Sequence, residues 1–160
     1  AVLREAGKNY RLVVLGSGDY ENELKKTTSC LDLNQMVTFE GSVSQESKLH
    51  WLRKAWSAVF PSEKEGWGLT VIEANACGTP VIASDSDGLR DSVKNGKTGI
   101  LVPHGNVEKL AEEMDRLASS TSLRSELGSN GLEWAAGFNW DDTANRMMEV
   151  MKDTLRNAPE

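Results

Sequence analysis

Glu65 and Glu73 bracket seven residues that open with Gly66-Trp67-Gly68, inside the stretch EKEGWGLTVIEANACGTP at 63–80. Two acids around a glycine turn that leads into a helix suggest a definite chemistry. Gly66 and Gly68 carry no Cβ, so a ligand can come close to the backbone. The helix that follows offers unpaired N–H groups and the positive end of its dipole, which suits a phosphate. A carboxylate beside such a site accepts hydrogen bonds from the hydroxyls of a sugar. Glu65 precedes the turn, where its side chain can aim into a cleft. Glu73 has two readings. It can serve a ligand, or it can close a capping box with Thr70, three residues earlier, and reach back to a backbone N–H. Spacing alone leaves both open.

Other residues with chemical potential are weaker candidates. Asp85-Ser86-Asp87-Gly88 is a turn that lacks the downstream ligands of a calcium loop, so it reads as solvated. His50 and His104 stand alone and read as surface or core histidines. Cys30 and Cys77 have no metal-ligand spacing and suggest no disulfide framework, and Cys77 reads as a small buried residue. Met147, Met148 and Met151 have helical spacing and read as packing residues. Trp51 and Trp56 read as core or boundary residues.

The elements that must position the acids alternate along the chain. Apolar runs at 11–15, 36–39, 58–60, 80–84 and 100–102 read as strands. Helices are expected at 19–28, 44–56, 70–77, 89–94, 107–119, 123–136 and 141–157, with Leu49, Leu52 and Trp56 on one apolar face of the second and Gly78 stopping the third. Strands alternating with helices at these lengths predict an α/β fold, a doubly wound parallel sheet with helices on both faces. Ligands of such sheets bind beyond the carboxyl ends of the strands. The turns Gly16-Ser17-Gly18, Gly41-Ser42 and Gly66-Trp67-Gly68 should therefore gather on one edge. Ala1 to Lys8 read as the end of a helix with no strand before it, so a strand-helix unit is expected to lie upstream.

The 160 residues suit one domain with a real core. There is no internal repeat, no signal-peptide pattern and no apolar run of membrane-spanning length. The net charge of -6 argues against nucleic acid or an anionic membrane as the main partner.

Taken together, Pro61-Ser62-Glu63-Lys64-Glu65-Gly66-Trp67-Gly68-Leu69, Ile72-Glu73-Ala74 and Ala76-Cys77-Gly78-Thr79-Pro80-Val81-Ile82-Ala83-Ser84 resemble the signature of retaining nucleotide-sugar glycosyltransferases of the GT-B fold, in the Glu-x7-Glu family (group 1, or family 4). Gly88-Leu89-Arg90-Asp91-Ser92-Val93, Gly96-Lys97-Thr98-Gly99 and Leu101-Val102-Pro103 fit downstream. Leu15-Gly16-Ser17-Gly18 and Val37-Thr38-Phe39-Glu40-Gly41 fit upstream, and Phe138-Asn139-Trp140-Asp141 fits the start of the final helix. Asp87 stands where the family often has glycine, and Trp67 where phenylalanine is common.

The resemblance implies that residues 1–160 are the C-terminal, donor-binding half of a GT-B enzyme, a Rossmann-like domain without its first strand-helix unit or the N-terminal acceptor domain. By similarity Glu73 holds the ribose hydroxyls and Glu65, the catalytic candidate, contacts the donor sugar. The backbone from Gly66 through Trp67 and Gly68 to Leu69 faces the diphosphate and sugar. Gly16, Gly41, Ser42 and Val43 border the nucleotide. The implied reaction moves a sugar from a UDP-, GDP- or ADP-sugar to an acceptor with retention, and needs neither a metal nor a cofactor. The family's arginine and lysine for the leaving diphosphate precede the first strand and are not in this sequence, so the 160 residues alone are expected to be inactive. The final helix, 141–157, is expected to cross toward the N-terminal domain, leaving its apolar face exposed or packed elsewhere. An interrupted sheet, a dimer through exposed surfaces and a cytoplasmic location, with a peripheral place at the inner face of a membrane open to the full protein, complete the expectations. A non-catalytic nucleotide-binding or assembly module of the same fold, with Glu73 as a mere cap, is the alternative. An unrelated receiver-like or flavodoxin-like domain would not place Glu65 and Glu73 around one cleft.

Overall fold

A computed structural model describes residues 1–157. The elements run α1 (Val2–Glu5), β1 (Leu12–Leu15), α2 (Glu21–Cys30), β2 (Val37–Gly41), α3 (Gln45–Lys54), β3 (Ala58–Phe60), α4 (Leu69–Ala76), β4 (Val81–Ser84), α5 (Leu89–Ser92), β5 (Gly99–Val102), α6 (Val107–Ser119), α7 (Thr121–Ala136) and α8 (Trp140–Arg156). Every strand pairing is parallel, as the alternation predicts. The strands form two sheets, β1-β2 and β3-β4-β5, so the sheet is interrupted between these two groups.

The three-strand sheet carries the core. All four residues of β4 are buried, because it is paired on both edges and covered on both faces. Alternation along the strand sends Val81 and Ala83 to one face, where Val71 and Ala74 of α4 meet Leu89 of α5 and Val93. Ile82 goes to the other face, with Ile100, Val102, Leu117 of α6 and Leu127 of α7. Burying a leucine such as Leu117, at 0% exposure, contributes about 1.5–3 kcal/mol. By contrast, β1 and β2 are half-buried at best.

Helix α4 ends as its glycine requires. Gly78 takes φ 73°, its N–H bonds the Asn75 carbonyl, and the Thr79 N–H reaches back to Ala74 at 3.0 Å. This is a Schellman stop.

Four sequence readings need correction. Trp56 lies beyond α3, which ends at Lys54, and is 54% exposed, because extended backbone at Ala55 ends the helix. Met147, Met148 and Met151 are exposed rather than packed, since α8 buries none of its described residues. Cys77 is only half-buried, and both cysteines are free. The capping box is absent. Gly68 is the N-cap of α4, Thr70 lies inside the helix, and no side chain caps it. No helix among the described residues is long and apolar enough to cross a membrane.

Candidate functional site

Because all strands are parallel, the turns after β1 and β2 share one edge of their sheet and the loops after β3, β4 and β5 share one edge of theirs. The first two turns are fastened together. The Gly16 N–H donates to the Gly41 carbonyl at 2.7 Å, and the Ser17 and Ser42 hydroxyls meet at 2.7 Å. Gly16 and Gly41 adopt φ of 111° and 64°, which glycine reaches without strain. The ladder slips here, pairing Val14 with Phe39 but Leu15 with Gly41. Such a bulge re-aims the chain at a strand end. Val43 follows, half-buried, before α3.

The loops after β3 and β4 are also joined. The Ser62 hydroxyl donates to Glu65 Oε1 at 2.9 Å, and the Ser86 hydroxyl to the Ser62 carbonyl at 3.1 Å. Gly88 lies against the backbone of Glu65 and Gly66, where a Cβ would collide with the Glu65 carbonyl. The half-buried Glu65 is thus held by its own loop and braced by the next. Asp85 and Asp87 face Arg90, with Nε to Asp85 Oδ1 at 2.6 Å and Nη1 to Asp87 Oδ1 at 3.0 Å. Hydrogen bonding to Asp85, then its charge, raises the Arg90 pKa further. Among the described residues no three His, Cys, Asp or Glu side chains converge as metal ligands.

Helix α4 begins at Leu69, straight after left-handed Gly68 (φ 90°, ψ 56°), with no side-chain cap hydrogen bond on its first turn. Its N-terminal N–H groups and dipole are therefore available to an anion. Trp67 turns its ring away from this role. It packs edge-to-face on Phe138 at 4.8 Å, and Phe138 does the same on Trp134. Trp134 Nε1 donates to the Ser92 carbonyl at 2.9 Å. Trp67 thereby offers its backbone and anchors the turn with its side chain.

Glu73 lies on the second turn of α4, where its carboxylate receives Lys48 of α3, Nζ to Oε1 at 2.7 Å and to Oε2 at 2.8 Å. Both side chains are about a third exposed (28% and 33%). Sequence reasoning missed Lys48. The available signal was topological: consecutive strand-helix units set the N-terminal halves of their helices side by side. Lys48 and Glu73 are the fourth and fifth residues of theirs. A separate cavity of about 140 Å³ opens beyond β3–β5, lined by Phe60, Pro61, Pro103, His104 and Leu110, and includes neither acid. His104 Nδ1 lies 3.3 Å from the Ser84 hydroxyl there.

Residues 1–134 match the family model described as "Glycosyl transferases group 1". A D-inositol 3-phosphate glycosyltransferase from Frankia alni is 36% identical over 144 residues, 89% of this chain and 35% of that protein. One from Streptomyces bingchenggensis is 38% identical over 142 residues, 88% of this chain and 31% of its own length. The chain thus spans about a third of the curated relatives it matches. Among solved structures, sucrose-phosphate synthase from Thermosynechococcus elongatus superposes with a TM-score of 0.84 at 31% identity, covering 92% of this chain and 39% of that one. Anabaena HepE, in complex with UDP-glucose, superposes with a TM-score of 0.79 at 23% identity, covering 90% and 41%.

Proposed function

The chain belongs to the group 1 glycosyl transferases, and from that premise we propose that it is the donor-binding domain of an enzyme that moves a hexose from a nucleoside diphosphate sugar to an acceptor, with retention. The observation that carries this is the first turn of α4. It has no side-chain cap, opens from left-handed Gly68, and lies between Glu65 and Glu73. The backbone N–H groups from Gly66 to Leu69 face the diphosphate and offset the charge that develops on it. Glu65, held by Ser62, contacts the donor sugar. Glu73 accepts the ribose hydroxyls, and Gly16, Gly41, Ser42 and Val43 border the nucleoside. The joined turns after β1 and β2 support that border. The chain spans about a third of the relatives it matches, and its own part in the reaction is to hold the donor. No metal or cofactor takes part. The rival reading, a non-catalytic module with Glu73 as a helix cap, is disfavoured because Glu73 faces Lys48 and caps nothing.

Saturation-transfer NMR with UDP, GDP and ADP tests the reading. The chain is expected to bind one of the three, and Glu73→Ala to abolish the signal. Failure to bind any of them, or binding indifferent to Glu73→Ala, overturns it.

A further inference from the structure

We propose that Lys48 is a positioning residue of the donor site, whose ammonium orients the Glu73 carboxylate and shares the ribose diol with it. The inference rests on the ribose reading of Glu73 given above. The Lys48 ammonium bridges both oxygens of Glu73, at 2.7 and 2.8 Å. An ammonium has three N–H donors and a carboxylate about four acceptor positions. The bridge uses two of each. One donor and two acceptor positions remain, on two side chains that each keep about a third of their surface exposed. That set complements a vicinal diol: each hydroxyl donates to one carboxylate oxygen, and one of them accepts from the ammonium. A lone lysine would favour a phosphate at this position. The adjoining carboxylate repels an anion and sets the pair to receive neutral hydroxyls.

The backbone that presents Lys48 is fixed from both ends. Ser44 caps α3, its hydroxyl accepting the Ser47 N–H at 3.2 Å. One turn beyond Lys48, the Thr79 hydroxyl donates to the Leu52 carbonyl at 2.5 Å, and Leu52 packs on the core beside α4. Helices α3 and α4 are therefore held in register where the pair forms. An ion pair about a third exposed contributes little to stability, so a ligand can engage this one at small cost to the fold.

The test is the ratio of affinities for ribose and 2′-deoxyribose nucleotides. The chain is titrated with UDP, GDP and ADP and with their 2′-deoxy counterparts, with circular dichroism to check the fold of each variant. The unmodified chain is expected to prefer the ribonucleotide by about tenfold, as for one hydrogen bond to a charged group. Lys48→Met should weaken the ribonucleotide about tenfold and bring the ratio near one. Lys48→Arg, which keeps a fork of donors, should restore part of the ratio and covers the case of a misfolded methionine variant. An unchanged ratio in Lys48→Met, with binding lost in Glu73→Ala, overturns the role of Lys48 and leaves the donor-site reading intact. A chain that binds none of the six nucleotides overturns that reading, and this inference with it.

Discussion

In the half of the molecule built on β4, three glycines lie where a methyl group would strike a neighbour: Gly99 against the Val81 carbonyl, Gly128 against the Gly78 carbonyl, Gly131 against the Asn75 side chain. In the half built on β1 and β2, a Cβ on Gly16, Gly18 or Gly41 would meet nothing within 4 Å. The first set allows helices and strands to touch. The second leaves backbone uncovered at the edge where a ligand can lie. Burial follows the same division: β4 is wholly buried, whereas α3 buries no residue and α2 only Thr28. One half is a rigid platform, and the other is a lightly packed wall that presents groups toward it.

The largest expected effect that tests this contrast is truncation in the two halves. Leu117→Ala should cost about 3–5 kcal/mol, and the half-buried Val14→Ala about 1 kcal/mol, by urea denaturation. Equal losses would break the comparison. Next, Gly128→Val should cost about 2–3 kcal/mol by overpacking the α4–α7 contact, while Gly18→Ala stays within about 0.5 kcal/mol. Similar midpoints for the two would show that the close approach of α7 is dispensable.

A smaller effect, of opposite sign, is expected at Asn75. It is fully buried on α4, and neither its amide nitrogen nor its oxygen has a partner among the described residues. Asn75→Leu should raise stability by about 1 kcal/mol, since an apolar group of similar shape removes the desolvation cost. A loss would indicate that something in solution, such as a bound water, satisfies the amide.

The smallest effect concerns a tether between the halves. The Tyr10 hydroxyl donates to Asp115 at 2.7 Å, and Lys8 pairs with it at 2.9 Å. The Tyr10 hydrogen bond, then that of Lys8, lowers the Asp115 pKa below 3.8, and the bond to Asp115, then its charge, raises that of Lys8 above 10.5. A depressed carboxyl contributes stability above its unfolded value and loses it as pH falls through the folded one. A raised lysine contributes below its unfolded value and loses it as pH rises through the folded one. Asp115→Asn should therefore lower Tm at neutral pH, with the difference from the unmodified chain vanishing in acid below the ordinary carboxylate range. A difference constant across pH would assign the effect to packing.

Much of the platform was legible in the sequence. Alternating strands and helices announced a parallel sheet, and Gly78 marked the end of α4 because its Schellman geometry needs left-handed backbone. Runs such as Val81-Ile82-Ala83-Ser84 identify a strand buried on both faces whatever its neighbours. The wall was harder to read. Trp56 has helical spacing from Leu49 and Leu52, yet the chain extends at Ala55 before reaching it. The methionines of α8 have the spacing of a packed stripe, and a period cannot tell which partner covers it. In the candidate site, Glu65, Glu73 and the glycine turns could be named from local pattern. Lys48 could not, because its importance comes from a partner 25 residues away on another helix.

The halves communicate through few joints: Lys48 with Glu73, Leu52 with Thr79, Tyr10 and Lys8 with Asp115, and Arg124 over the Trp56 ring. For anyone recombining such domains, residues 1–56 therefore form an exchangeable cassette. A segment from a relative that keeps those joints can be spliced in without redesigning the interior, and a library built there would vary the turns after β1 and β2 while the fold serves as a constant chassis.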